Sequence, residues 1–257
     1  MTQDVLDRHD VALVRAENPG PFTLSGTNTW VVGRDPCWVV DPGPAIDAHL
    51  AAIEAEVRAR GGAGGIVLTH DHADHAEAAP ALAERLVARV AATRAARAVR
   101  IADGDEVGPF KVIATPGHAP DHVALVAGAV CFTGDAILGE GSVFIAPDPG
   151  ALSGYLAALE RLQAMELSTL YPGHGPVVED PAAKIGEYLA HRRDRERRVI
   201  AALEAGRRSV DELLDEVWDD APAVLRPAAA VTLAAHLDKL DEEGRLPEGV
   251  ERPQWPW

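Results

Sequence analysis

The chain has 257 residues, enough for one large domain with a small appendage and enough to bury a core without disulfides. Hydrophobic residues make up 47% and charged residues 25%, ordinary globular usage that excludes collagen-like, disordered and disulfide-scaffold classes. Against 24 basic residues stand 40 acidic ones, and the formal charge of -16 opposes non-specific adhesion to nucleic-acid phosphates or anionic membranes.

The first ten residues, MTQDVLDRHD, lack the basic segment and apolar stretch of a signal peptide, and no window is apolar for long enough to span a bilayer. A cytoplasmic address with no membrane partner is the expectation. Cys37 and Cys131 both lie in apolar runs, where reduced, buried thiols are expected. Short hydrophobic runs cut by Pro and Gly predict strands at 11–16, 30–33 and 37–41, the last running into Asp41-Pro42-Gly43-Pro44. Ile46, Leu50, Ile53 and Val57 recur at helical spacing, and Gly61-Gly62 stops that helix. A strand at 65–69 leads into a His-rich turn and an Ala-rich helix ending near Val87. Strands follow at 111–115, 123–127 and 129–133, then a helix near 151–164, then STLYPGHG at 168–175 as a strand ending in a turn. Strands alternating with helices indicate an α/β body. From Pro181 the pattern is helical: one helix over about 182–205, a capping box at Ser209-Val-Asp-Glu212, and a helix through Val231, Ala234, Leu237 and Leu240 that stops at Gly244. The division expected is a body over 1–206 and a small module over 207–257.

The chemistry concentrates in Thr69-His70-Asp71-His72-Ala73-Asp74-His75. A regular helix could not aim all these side chains at one point. A strand end followed by a turn and a helix can, because the turn redirects the later pair. Neutral imidazole and carboxylate are ligands for zinc, iron or manganese. Three further strand ends each deliver one more such group: His118 in Thr-Pro-Gly-His, Asp135 in Thr-Gly-Asp, and His174 in Tyr-Pro-Gly-His-Gly. Loops at one edge of a sheet can bring them together.

On these residues the sequence resembles the metallo-β-lactamase fold superfamily. His70, His72, Asp74 and His75 match the H-x-H-x-D-H core, and His118, Asp135 and His174 match its downstream ligands in order. The resemblance implies a four-layer αββα sandwich and a metal-dependent hydrolase. It implies that His70, His72 and His118 hold one ion, that Asp74, His75 and His174 hold the other, and that Asp135 bridges them. Two Zn2+ ions suit this donor set best, and Mn2+ or Fe accept the same groups. A hydroxide bridging the two metals would attack an ester, thioester or phosphodiester. Asp74 is expected to orient that water, His122 to contact substrate or move a proton, and Asp71 and Asp121 to fix imidazole orientation.

Asn18–Leu24, Gly26–Trp30, the TPGHAPDH run and Tyr188–Arg192 are similar to the β-lactamase-like protein 2 branch, which carries a C-terminal winged-helix-like module. This branch implies a single-strand-specific endoribonuclease as the alternative to a small ester or thioester hydrolase. Over 182–208, Lys184, Arg192, Arg193, Arg195, Arg197, Arg198, Arg207 and Arg208 face four acids, a local excess that could guide single-stranded RNA or an anionic acyl carrier. The acidic segment 209–252 makes a poor nucleic-acid reader, so packing, homodimer formation or shaping the substrate entrance is expected of it. β-Lactamases of the best-known zinc types use a Cys ligand where Asp135 stands, which makes penicillin hydrolysis the less expected activity. A di-iron redox relative would replace His72 with an acid and add a flavin module. Trp255 and Trp257 are expected to anchor against the body or a partner subunit.

Overall fold

The computed structural model describes residues 8–94 and 98–254; Trp255 and Trp257 lie outside them. The described residues form two compact units, one within Met1–Thr115, Asp121–Gly141 and Glu166–Pro181, the other within Pro116–Pro120, Ser142–Met165 and Ala182–Trp257.

The first unit holds two mixed sheets. One contains β1 (Val11–Arg15), β2 (Asn28–Val32), β3 (Cys37–Val40), β4 (Ala63–Val67), β5 (Val90–Ala92) and β6 (Val99–Arg100) in that order; it is antiparallel as far as β3 and parallel beyond. The other runs β11 (Thr169–Pro172), β10 (Val130–Gly134), β9 (Val123–Ala127), β8 (Phe110–Ala114) and β7 (Glu106–Val107), with only β10 and β11 parallel.

Strand periodicity explains why the apolar runs are unbroken. Trp30 and Val32 of β2, Val40 of β3 and Val67 of β4 turn inward to meet Phe110, Leu125, Phe132 and Tyr171 of the second sheet. Their neighbours Val31, Val39 and Ile66 point the other way, against the helices α1 (Asp47–Ala59) and α3 (Ala79–Leu86) through Leu50, Ile53, Val57 and Leu82. A sheet covered on both faces needs apolar residues at every position. The stretch expected as one helix to Val87 is broken into the single turn α2 (Ala73–Ala76) and α3, with Val87 in the left-handed region at φ 52°. Cys37 and Cys131 are buried free thiols, and burial raises the Cys131 thiol to about 12.

The second unit is helical. It contains α4 (Ala151–Gln163), most of α5 (Pro181–Glu204), α6 (Val210–Val217), a 3-10 turn at Ala223–Leu225 and α7 (Arg226–Glu242). Val199, Leu203, Leu213, Val217, Leu233, Leu237 and Leu240 form its core. Ser209 and Glu212 make the capping box in both directions, satisfying donors that the first turn of α6 would otherwise leave open.

The basic stretch on α5 does not present the cationic face that its charge count suggests. Arg192 and Arg195 are only 2% and 5% exposed. Arg195 pairs with Asp220 at 2.7 Å, Arg193 with Glu160 at 2.7 Å, Arg197 with Asp194 at 2.6 Å, Arg198 with Asp219 at 2.7 Å and Arg207 with Glu216 at 2.9 Å. Four of these five acids, Glu160 before the 182–208 window and Glu216, Asp219 and Asp220 after it, are invisible to a count within it. Among the described residues no helix is long and apolar enough to cross a membrane.

Candidate metal centre

The strand ends of the first unit carry six of the seven ligand-type residues. Past β4, Leu68 is still buried, and Thr69 and His70 leave the sheet into the turn. His72, in extended conformation, immediately precedes α2, whose single turn aims Asp74 and His75. Asp135 follows β10 directly. The register of β10 against β11 shifts between Phe132 and Gly134, and Gly134 takes φ +47°, where a Cβ would lie 2.4 Å from Thr69 Oγ1. Only glycine lets that backbone approach so closely. His174 stands beyond β11, where Asn28 Nδ2 donates to Pro172 O at 3.0 Å and to Gly175 O at 2.9 Å, and Trp30 Nε1 donates to Pro172 O at 3.1 Å.

Four donor atoms converge at this edge. His75 Nε2 lies 3.2 Å from His174 Nε2, 3.5 Å from Asp74 Oδ2 and 3.4 Å from Asp135 Oδ1. His174 Nε2 lies 3.2 Å from Asp74 Oδ2 and 3.5 Å from Asp135 Oδ1. Donor atoms of His70, His75 and Asp135 likewise fall within 4.8 Å of one another.

Hydrogen bonding on the far side of each ring fixes which nitrogen faces the cluster. His75 Nδ1 donates to Asp41 Oδ2 at 2.9 Å and His174 Nδ1 to Gly26 O at 3.4 Å, so both Nε2 atoms direct lone pairs inward. Thr69 Oγ1 donates to Asp41 Oδ2 at 2.7 Å and accepts from His70 Nδ1 at 3.0 Å, giving His70 the same tautomer. Two imidazole lone pairs and two carboxylate oxygens this close require a shared cation or added protons. This chemistry fits a divalent metal.

The titration behaviour has the same origin. Burial opposes charging of His75, but the Asp135 and Asp41 carboxylates outweigh it and hold the imidazole well above its usual value. For His174 burial also opposes the charge, and hydrogen bonds to Asp135 and Asp74 raise it to about 9. Burial would raise Asp135, yet His75 and His174 hold it well below the usual carboxylate range, and Asp74 is lowered against burial in the same way.

His122 is buried at the same edge. The Asp135 backbone N–H donates to His122 Nε2 at 3.0 Å, which leaves the proton on Nδ1, donated to Thr115 Oγ1 at 2.7 Å. An imidazole engaged at both nitrogens can offer neither proton nor lone pair to a substrate without breaking one of these bonds. Both its nitrogens are thus engaged, one by the Asp135 backbone and one by Thr115.

Asp41 orients His75 directly and His70 through Thr69, and the sequence alone does not single it out. Asp71 is exposed, and Asp121 Oδ1 is buried without a hydrogen-bond partner. In the sequence Asp41 shows only as the start of Asp-Pro-Gly-Pro, a turn at the end of an apolar strand. His118 lies in the second unit, with Nδ1 donating to Phe144 O at 3.3 Å.

Comparison with known proteins agrees with this architecture. The profile of the metallo-beta-lactamase superfamily matches residues 22–107 and 97–174, and that of the beta-lactamase associated winged helix domain matches 209–255. The chain is similar to a beta-lactamase-like protein 2 homolog of Caenorhabditis elegans, 31% identical over 91% of this chain and 85% of that one. It is also similar to an atrochrysone carboxyl ACP thioesterase of Aspergillus novofumigatus, 33% identical over 82% of this chain and 71% of that one. A solved structure of a metallo-beta-lactamase family protein from Thermus thermophilus shares the fold, with a TM-score of 0.74 at 24% identity over 91% of this chain and 94% of that one. The chain belongs to the metallo-beta-lactamase superfamily and is a metal-dependent hydrolase of that class, with a C-terminal winged helix domain.

Proposed function

We propose that the protein hydrolyses acyl thioesters or related small esters at a dinuclear zinc centre. Asp74, His75 and His174 hold one ion, His70, His72 and His118 the other, and Asp135 serves both. The observation that carries this reading is the approach of His75 Nε2, His174 Nε2, Asp74 Oδ2 and Asp135 Oδ1 to 3.2–3.5 Å, with each imidazole's other nitrogen committed elsewhere.

A bound pair of divalent ions lowers the pKa of water toward neutrality and polarises a carbonyl oxygen. Within the chain, Asp41 and Thr69 hold the imidazoles in the required tautomer. Asp74, whose side chain is 31% exposed where those of His75, His174 and Asp135 are buried, is the carboxylate placed to accept a hydrogen bond from an incoming water. His122 is a positioning residue for Asp135.

A thioester suits this site because its leaving thiolate, of a thiol with pKa about 8.5, departs without a dedicated proton donor. The commitment of both His122 nitrogens removes a nearby candidate for such a donor. The thioesterase relative and the pairing of the α5 arginines point the same way, and the pairing leaves little to favour RNA.

The test is a side-by-side assay of zinc-loaded protein on acyl thioesters, esters, lactones, labelled single-stranded RNA and a cephalosporin, with metal content measured on the same samples. Thioester or ester turnover should dominate, should stop with a chelator and should be lost in Asp135→Ala and His72→Ala. Dominant RNA cleavage would overturn the substrate, and full activity in both variants would overturn the site.

A further inference from the structure

The C-terminal helices reach the loop that holds His118. Residues 142–147 have no regular secondary structure, so their path must be set by contacts. The Phe144 carbonyl accepts from His118 Nδ1 at 3.3 Å, and the Phe144 ring meets the His118 imidazole edge-on, with centroids 4.7 Å apart. The residues on either side of Phe144 are fixed from two different helices. The Val143 carbonyl accepts a hydrogen bond from Arg192 Nη2 on α5. The Ile145 N–H donates to Thr232 Oγ1 on α7 at 3.4 Å, while that hydroxyl donates to Ala228 O at 3.1 Å. Ala146 N closes the arrangement on Gly117 O at 2.9 Å.

Arg192 and Thr232 are 2% and 3% exposed. The Arg192 guanidinium lies 5.6 Å from the centroid of the Tyr155 ring, and Tyr155 packs on Gly117, where an added Cβ would fall 2.6 Å from Tyr155 Cβ. A buried arginine that donates to a main-chain carbonyl holds that carbonyl in place.

We propose that Arg192 and Thr232 are positioning residues for His118: they hold Val143 and Ile145 so that the Phe144 carbonyl keeps the proton on His118 Nδ1 and leaves Nε2 as its ligand atom. This inference rests on the reading of His118 as a ligand, and it gives α5 and α7 a role that requires no nucleic acid.

The experiment is a zinc titration of the chelator-stripped full chain against a competing chelator, with thermal melting recorded on the same samples. The wild type should bind two ions in resolvable steps. In Arg192→Met and in Thr232→Val one step should weaken by about 10–100-fold, the range for loss of an outer partner of a metal ligand, while the other step is unchanged. Thr232→Ser should restore the affected step. Leu213→Ala, which only opens a cavity in the C-terminal core, should lower the melting temperature and leave both steps intact.

Two wild-type steps that survive in Thr232→Val overturn the proposal, as does a parallel loss of both steps in Thr232→Val and Leu213→Ala. If Arg192→Met does not fold, the comparison of Thr232→Val with Thr232→Ser decides. A wild type that binds one ion or none defeats the dinuclear reading itself, an outcome distinct from either of these.

Discussion

Asp41 Oδ2 accepts from His75 Nδ1 at 2.9 Å, and the same carboxylate takes the Thr69 hydroxyl at 2.7 Å and, through Oδ1, the Thr69 backbone N–H at 2.8 Å. One acid thus fixes His75 directly and His70 through Thr69. Asp41→Asn keeps the shape but presents an amide that can turn a donor toward His75 Nδ1, favouring the opposite tautomer. Zinc affinity at the Asp74, His75 and His174 site should fall about 10–100-fold, measured by chelator competition, with the fold retained. Unchanged affinity would show that the tautomer is set elsewhere.

For the chelator-stripped protein the sign of the pH dependence is fixed by the two kinds of group in the cluster. His174, raised from 6.5 to about 9, contributes stability that is fully present below pH 6.5 and is lost as the pH rises through about 9. Asp135 and Asp74, lowered from 3.8, contribute stability present above that value and lost as the pH falls through their folded values. Melting temperature should therefore fall from near-neutral to alkaline pH in the stripped protein. Zinc should flatten the alkaline limb, because a bound cation replaces the protons. An alkaline limb equally steep with and without zinc would contradict the assignment.

Gly173 provides a steric test of the same cluster. A Cβ there would lie 2.6 Å from His75 Cε1 and 2.7 Å from Asp135 Oδ1. Gly173→Ala should displace both side chains, lowering zinc stoichiometry and abolishing turnover while circular dichroism stays native. Normal zinc binding in this variant would mean that the two side chains can move aside without cost.

The arginines of α5 make a contrasting prediction. Arg193, Arg197 and Arg198 are each tied to an acid at 2.6–2.7 Å, and exposed pairs of this kind are worth only about 0–1 kcal/mol. Replacing all three by Gln should leave kcat/KM for an acyl thioester and its salt dependence within about twofold. A large loss, or a flattened salt response, would instead mark this helix as a path for an anionic substrate.

The sequence makes the eight longer strands and the main helices legible because each is an apolar run or a helical period bounded by Gly or Pro. β5, β6 and β7 escape because two or three residues show no period; β6 and β7 are largely exposed edge pieces. The seven ligand-type residues stand out through residue type and strand-end position. Asp41 does not, since Asp-Pro-Gly-Pro reads first as turn chemistry, and its purpose becomes visible only where Thr69 and His75 meet it. For His122 the sequence exposes an imidazole beside a ligand motif but not the Asp135 backbone N–H that donates to it. The basic stretch misleads because its partners Glu160, Asp219 and Asp220 lie outside the window in which the charge was counted.

Asn28 and Trp30 belong to the first sheet, and the turn that presents His174 belongs to the second. The bonds to Pro172 and Gly175 rivet the two together at the edge that carries the His and Asp cluster. Docking of the sheets is consequently what brings Asp74 and His75, from the first, to Asp135 and His174, from the second: a chain with one sheet formed offers two of these four donors. Tight metal retention then reports on the closed sandwich as a whole, and loosening the sheets anywhere near this seam shows first as leakage of the ion.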